Sequence, residues 1–207
     1  MSYLPAGETI LRENAVKMSV TNVLAGSCNV EIQSYGAEDR SDQNFGYIEV
    51  NGRRAFNASW SGIHGSNYRG INTMILDPVA CLAVDWHQWD VLGYASAAGD
   101  LVAYINYLRD GAILLAATAD EASFNLQPAV QTLTTAGVPL SATSSYTEIN
   151  YRGKYAFVLQ KGYPEKTVMA MASRGADSLK IKVHLKGESI ECDICSISYS
   201  GQHHRHA

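Results

Sequence analysis

Cysteines and histidines near the end of the chain are the first residues whose types and spacing could support chemistry. Cys192 and Cys195 form a CxxC pair, and His203, His204 and His206 follow shortly after. Such residues bind zinc when a turn folds them around the ion, and a CxxC pair does redox chemistry at a helix N-terminus. Here the pair lies in an apparent strand and the histidines in a polar tail. The pattern therefore favours structural cysteines and predicts no metal site.

A second group of polar residues lies around two tryptophans. Asp85, His87 and Asp90 alternate with Trp86 and Trp89, a spacing that could serve acid–base or metal chemistry. A catalytic centre needs a further group to complete it, and the sequence contains no nucleophile elbow, P-loop or dinucleotide fingerprint. We therefore expect no catalytic residue and no cofactor, and a protein that is not an enzyme. A polysaccharide-acting enzyme stays open as an alternative, because its two carboxylates can lie far apart in sequence.

Composition excludes several partner classes. The chain has 207 residues and a net charge of −4, so it lacks the basic excess expected of a nucleic-acid-binding protein. No apolar run approaches the roughly 20 residues that cross a bilayer, and the first residues show no signal peptide. Four cysteines allow three pairings that the sequence does not distinguish: Cys28, Cys81, Cys192 and Cys195.

Hydrophobic periodicity predicts the strands and helices that position these residues. Alternation predicts strands at 16–20 and 30–35, followed by a polar loop at 36–43. Residues 47–56 predict a hairpin around Asn51-Gly52, since Asn-Gly supplies the positive φ angles of a type I′ turn. The near-continuous apolar runs 70–77 and 112–118 predict buried strands, and 82–86 a returning strand.

Two helices and two further strands complete the pattern. Residues 96–108 and 128–136 have apolar residues at helical spacing and each is followed by a glycine, so both predict helices. Residues 155–159 predict a central strand. Residues 179–185 alternate strictly, which predicts a strand with Leu179, Ile181, Val183 and Leu185 facing inward. No internal repeat or linker divides the chain, so we expect a single domain over residues 1–207.

The middle of the chain resembles the interleukin-like EMT inducer (ILEI) domain, also called the GG domain. Residues 69–77 (RGINTMILD) resemble its opening motif, and Trp89-Asp90 stands where the family has Phe-Asp. Residues 119–124 (ADEASF) and 151–158 (YRGKYAFV) resemble its later turn and strand, in family order. The resemblance covers about residues 45–163, with strands on either side extending the domain. It implies an α+β fold, a compact β-β-α sandwich of two mainly antiparallel sheets with two flanking helices.

The resemblance also implies a site. The family includes the lectin-like stem domain of protein O-mannose N-acetylglucosaminyltransferase, whose sugar-contacting residues correspond to Arg69, Asp120 and Arg152. Two arginines beside one aspartate would hold its carboxylate ionised and oriented toward sugar hydroxyls. Tyr151 or Tyr68 would stack on the sugar ring. This sequence has Gly153 where the family motif has aspartate, and the family's two tryptophans are replaced by tyrosines, which affects sugar specificity more than fold.

We therefore expect a non-catalytic carbohydrate-binding domain, a lectin for a terminal sugar such as an N-acetylhexosamine. Weak single-site affinity would require several copies, so we expect a homo-oligomer that binds a glycan or glycoconjugate. If the family function holds, the protein acts outside the cell or on a virion surface. One alternative is a cytokine-like or receptor-binding module, including a phage tail-fibre tip, and an exposed apolar patch near Cys81 or along 179–185 would favour it.

Overall fold

The computed structural model describes residues 27–36, 45–59, 68–138, 140, 152–172, 178–186, 189–190 and 196–199. Within this part of the chain there are eleven strands and two α-helices. The strands are β1 (Ser27–Gly36), β2 (Phe45–Val50), β3 (Arg53–Ser59), β4 (Gly70–Asp77), β5 (Leu82–Trp89), β6 (Ile113–Asp120), β7 (Lys154–Gln160), β8 (Val168–Ala172), β9 (Leu179–Lys186), β10 (Ser189–Ile190) and β11 (Ser196–Tyr199). The helices are α1 (Ala97–Tyr107) and α2 (Gln127–Thr135), and a 3₁₀ turn covers Pro164–Lys166.

The strands form two sheets that share β1. Sheet A has the order β3-β2-β1-β9, with β10 and β11 both pairing with β9. Sheet B has the order β5-β4-β6-β7-β8. The end of β1 joins them, because Tyr35 and Gly36 pair in parallel with Ala119 and Asp120 of β6. All other pairings are antiparallel, which confirms the predicted fold of two mainly antiparallel sheets with flanking helices.

Two apolar layers hold the sheets and helices together. The first lies between sheets A and B and includes Ile32, Val183 and Leu115. The second lies between sheet B and the helices and includes Leu101 and Leu133. Sheet B is therefore covered on both faces, which explains why β6 and β7 are buried along their whole length and why β6 has a near-continuous apolar sequence. The site described below lies where these buried strands end.

Several predicted local structures are confirmed. Asn51 and Gly52 have φ angles of 49° and 76°, the left-handed values that the hairpin turn between β2 and β3 requires. In β9 the odd-numbered residues 179–185 are buried, as strict alternation predicts. Both predicted helices are present, and their buried residues lie at i, i+3 and i+4 spacing.

A disulfide links Cys28 on β1 to Cys81 in the turn between β4 and β5, so it ties one sheet to the other. The predicted strand at 16–20, most of the polar loop at 36–43, and the CxxC pair and histidines of the tail lie outside the described residues. Neither α1 nor α2 has the length and apolar composition of a transmembrane span.

Candidate functional site

The three charged residues predicted for the site lie at one end of sheet B. Arg69 directly precedes β4, and the first pair of β4 with β6 is Gly70 with Ala119, which brings Arg69 beside Asp120, the last residue of β6. Arg152 lies two residues before β7, and its backbone amide donates a hydrogen bond to Glu121, the residue after Asp120. Strand pairing thus brings these three residues, which are far apart in sequence, to one end of sheet B.

Asp90, just beyond the end of β5, is the direct partner of the Arg69 guanidinium. Arg69 Nε donates to Asp90 Oδ1 at 2.9 Å, and Nη2 donates to Oδ2 at 2.7 Å. Both side chains stay partly accessible, with exposed fractions of 33% and 17%. Such a bidentate pair fixes the guanidinium plane as well as its position. The family resemblance implies a site of Arg69, Asp120 and Arg152, and does not include Asp90.

The charges of this group are stable over a wide pH range. Hydrogen bonding to Asp90 raises the pKa of Arg69, and the nearby charge of Asp120 adds to the effect. Partial burial by itself favours the neutral form of Asp90, but hydrogen bonds from Arg69 and the Gly93 amide outweigh it and lower the pKa of this carboxyl. The group therefore offers fixed donors and acceptors at neutral pH.

Two glycines make the close approach of these residues possible. Gly70 has a φ of 101°, and a Cβ there would lie 2.1 Å from the carbonyl oxygen of Trp89. A Cβ at Gly93 would lie 2.5 Å from Asp90 Oδ2 and 2.8 Å from Arg69 Nη2. Position 93 must therefore be glycine if the ion pair is to keep its geometry.

The buried carboxylate of Glu121 fixes the backbone beside Asp120 and Arg152. Its Oε1 accepts hydrogen bonds from the amides of Ser123 and Phe124 and from the Ser123 hydroxyl, and its Oε2 accepts from the Arg152 amide. Asp120 and Arg152 have φ angles of 62° and 64°, an uncommon conformation for residues with side chains. Glu121 therefore couples the end of β6 to the approach to β7. Sequence reasoning missed this role, although the acid followed by serine two residues on was a visible signal.

A shallow pocket of about 420 Å³ opens beside the ion pair. Asp90 belongs to its wall, so the carboxylate that holds Arg69 also faces the pocket. The remaining lining combines aromatic and polar groups: Gln88, Trp89, Tyr94, Ser96, Ala97 and Asp100. Tyr94 is 67% exposed, so much of its ring is open to a ligand. A rigid ring next to fixed hydrogen-bonding groups suits a polar ligand with an apolar face.

Of the two tyrosines predicted to stack on a ligand, Tyr68 lies among the described residues and Tyr151 does not. The ring of Tyr68 packs edge-on against Phe56 and Trp86, with centroid distances of 5.4 Å in both pairs. It thus lines a separate pocket, although its chain neighbour Arg69 belongs to the ion pair.

Asp85 and His87 form a further polar group with Tyr104 of α1, and the His87 ring stacks on Trp89 of the pocket wall with a centroid distance of 5.4 Å. Asp85 Oδ1 lies 3.1 Å from His87 Nε2, and the Tyr104 hydroxyl donates to Asp85 Oδ2 at 3.0 Å. Burial, with the neighbouring carboxylate, raises the pKa of Tyr104 above its ordinary value. No three His, Cys, Asp or Glu side chains converge as metal ligands anywhere in the described part of the chain.

One of the comparisons with known proteins matches this region of the chain. No curated protein matches the chain. Residues 69–163, from the arginine of the ion pair to just beyond β7, match the sequence model of the interleukin-like EMT inducer family. The matched segment is narrower than the 45–163 expected from the motifs, but it contains Arg69, Asp90, Asp120 and Arg152. This segment is therefore similar to the interleukin-like EMT inducer (ILEI) domain, as the motifs predicted.

Proposed function

We propose that this domain binds a carbohydrate without altering it chemically. The observation that carries the proposal is Asp90, held by a bidentate pair with Arg69, in the wall of an open pocket that Trp89 and Tyr94 also line. The guanidinium N–H groups and carboxylate lone pairs that are not used between the two residues can bond vicinal sugar hydroxyls, and the apolar face of a pyranose matches an aromatic ring. The charges persist at neutral pH, so recognition needs no proton transfer.

The sugar class follows from the family resemblance and the charge of the site. We infer that the ligand ends in an N-acetylhexosamine, which has no charge of its own. Asp90, Asp100 and Asp120 lie in or beside the pocket with Arg69, so an acidic sugar would meet several carboxylates. Arg152, just before β7, lies near Asp120 because its backbone amide donates a hydrogen bond to Glu121. Because a single shallow site binds weakly, useful binding requires several copies of the chain.

The proposal is tested on an array of immobilised glycans presented at high valency. We expect wild-type protein to bind glycans with terminal N-acetylhexosamine, and Arg69→Ala to weaken binding by about tenfold or more, since hydrogen bonds to charged groups contribute about 1.5–3 kcal/mol. Failure of the wild type to bind any glycan would overturn the proposal. Full binding by Arg69→Ala would show that the sugar lies elsewhere.

A pair of glycine variants separates geometry from charge. Gly93→Ala keeps both charged residues but places a methyl group against Asp90 Oδ2 and Arg69 Nη2, so glycan binding should fall. Gly99→Ala, in α1, is the matched control, because a Cβ there meets no atom within 4 Å. It should preserve binding and stabilise the helix by about 0.5–1 kcal/mol. Equal glycan binding by the two variants would contradict a role for the ion-pair geometry.

A second candidate function is protein interaction, and one observation favours it. Three apolar side chains near Cys81 are exposed: Val79 by 50%, Leu82 by 47% and Val84 by 45%. They lie on or beside β5, which is one of the two edge strands of sheet B among the described strands. Exposed apolar groups on a strand edge suit an added strand from a protein partner or a second copy. Residues 179–185 present no such patch, because their apolar side chains face inward as predicted.

Sedimentation velocity over a range of protein concentrations tests this surface. A Leu82→Glu variant should remain monomeric at concentrations where the wild type self-associates, because the added charge would be buried at the contact. If the wild type stays monomeric at every concentration, self-association through this surface is excluded. Wild-type binding to a glycan that Leu82→Glu retains would place the sugar site and the protein contact on separate surfaces.

A further inference from the structure

Strand β5 contains a β-bulge that redirects its aromatic side chains. Thr73 of β4 pairs with His87, but Ile75 pairs with Val84, so Asp85 and Trp86 together lie opposite the single residue Met74. Asp85 has a φ of 51°, the left-handed conformation that accommodates the extra residue. Bulges of this kind aim side chains to positions that a regular strand would not give them.

Because of the bulge, Trp86 contacts aromatic residues on the sheet A side of β5. Its ring stacks on Phe56 with a centroid distance of 6.3 Å and meets Tyr68 edge-on. Trp86 nevertheless remains 39% exposed. With Ala55 and Asn57 these rings line a pocket of about 270 Å³. The pocket combines an accessible indole with the exposed amide of Asn57, groups that fit the apolar face and the hydroxyls of a sugar.

This aromatic pocket and the pocket beside the ion pair lie along one strand. Gln88, two residues after Trp86, lines the ion-pair pocket and donates from its side-chain amide to the Arg69 carbonyl oxygen at 3.0 Å. Trp89 and Ala97 of the same pocket belong to the layer between sheet B and the helices, so a ligand that reaches both pockets crosses the edge of β5. Strands rise about 3.3 Å per residue, so Trp86 and Asp90 are separated by roughly 13 Å along the chain direction. That span exceeds one sugar ring and matches a short chain of linked sugars.

We propose that the ligand is an oligosaccharide that lies along the edge of β5. Its terminal sugar contacts the Arg69–Asp90 pair, and a sugar further along the chain stacks on Trp86. This inference rests on the proposed carbohydrate-binding function and names the ligand class more closely: a linear glycan of several units. It also gives Trp86 and Asn57 a binding role that the carried-over family residues do not include.

Isothermal titration calorimetry with β-linked N-acetylglucosamine oligomers of one to four units tests the inference. For wild-type protein we expect the affinity to rise about tenfold from the monosaccharide to the longer oligomers, because an aromatic contact is added. Trp86→Ala should remove this gain and leave the monosaccharide affinity unchanged. Trp86→Phe, which keeps an aromatic plate, should restore part of it.

The control is Tyr107→Ala on α1, where the lost aromatic ring is 88% exposed and outside both pockets. It should keep the full dependence on oligomer length. Equal wild-type affinity for monosaccharide and oligomers, or a gain that survives Trp86→Ala, would overturn the inference while leaving single-sugar binding in place. Absence of wild-type binding to any of these oligomers would count against the inference and the proposed function together.

Discussion

Two ionised carboxylates, Glu31 on the outer face of sheet A and Asp90 at the end of sheet B, have different surroundings. Glu31 accepts a hydrogen bond from Tyr47 and lies 2.7 Å from Lys180 Nζ and 2.9 Å from Lys182 Nζ. Asp90 has one charged partner, Arg69, and faces a pocket of about 420 Å³. Glu31, Glu49 and Lys182 also line a pocket, of about 290 Å³, but its wall contains no tyrosine or tryptophan among the described residues, whereas Trp89 and Tyr94 line the pocket beside Asp90. What distinguishes the Asp90 site is therefore neither the ion pair nor the open space but the aromatic rings next to them.

The strand register explains why sheet A needs its lysines. Glu31 lies directly opposite Glu49, and like charges in that position destabilise a sheet. Lys180 and Lys182 offset this repulsion on one side, and Arg54 lies 3.6 Å from Glu49 on the other. The charged cluster on sheet A is thus explained by the pairing of two glutamates in the sheet. No like-charged pair in the register of the described strands explains the Arg69–Asp90 pair in the same way.

The largest effect on stability is expected for a third carboxyl group, the buried Glu121, which has backbone amides as partners in place of charged side chains. Glu121→Ala would leave the amides of Ser123, Phe124 and Arg152 without their acceptor. Each buried unsatisfied group costs about 1–3 kcal/mol, so we expect the free energy of unfolding to fall by about 3–5 kcal/mol in urea denaturation. Glu165→Ala, at an exposed position in the 3₁₀ turn, should change it by less than about 0.5 kcal/mol. A comparable small change for Glu121→Ala would contradict its proposed role.

The disulfide that ties the two sheets should have the next largest effect. Replacing both Cys28 and Cys81 with serine removes a crosslink between residues 53 apart in sequence. Such a crosslink restricts the unfolded chain, and its loss should lower the free energy of unfolding by about 2–4 kcal/mol. Reduction of the wild type should reproduce most of this loss. If the serine variant matches the oxidised wild type, the sheets are held together by packing alone.

A pH titration of stability isolates the Glu31 network. Burial by itself would favour the neutral acid, but hydrogen bonds from Lys180, Tyr47 and Lys182 lower the pKa of Glu31 from 4.5 to about 2. The stabilisation is therefore complete above pH 4.5 and is lost as the pH falls toward 2. Partly exposed ion pairs contribute little, so we expect a difference of about 1 kcal/mol between wild type and Glu31→Gln at pH 6. The difference should shrink at pH 3; a constant difference would show that ionisation is not its cause.

The smallest effect is predicted for Lys182→Ala. Its side chain is 56% exposed, so loss of the ion pair with Glu31 should cost no more than about 0.5 kcal/mol. Glycan binding should be unchanged, because sheet A lies away from the Arg69–Asp90 pair. Weaker glycan binding by Lys182→Ala would show that the charged cluster on sheet A also contributes to glycan binding.

Much of the fold follows from periodicity. Strict alternation over 179–185 gave the inward face of β9, and the Asn51-Gly52 pair gave the β2–β3 hairpin, because each signal reflects local backbone geometry. The parallel pairing of Tyr35 with Ala119 was not predictable in the same way, since it depends on how two sheets meet. The bulge at Asp85 also escaped prediction, because a left-handed aspartate has no distinctive sequence pattern.

The candidate site was predictable only in part. Motifs resembling those of a known family identified Arg69, Asp120 and Arg152, and strand pairing places them at one end of sheet B. The bidentate partner Asp90 lies 21 residues from Arg69, and no local pattern links the two. The need for Gly93 became visible only with the side chains in place, because it arises from space and not from backbone conformation.

The proposed function depends most on where the sugar binds, which we propose is the end of sheet B beside Arg69 and Asp90. Its most direct test is a two-dimensional amide NMR titration of the wild type with N-acetylglucosamine at millimolar concentrations. We predict that the shifted signals cluster at residues 69, 90, 93, 94 and 120, and that amides of β9 on sheet A stay unchanged. Shifts confined to sheet A, or no shifts at any residue, would contradict the account.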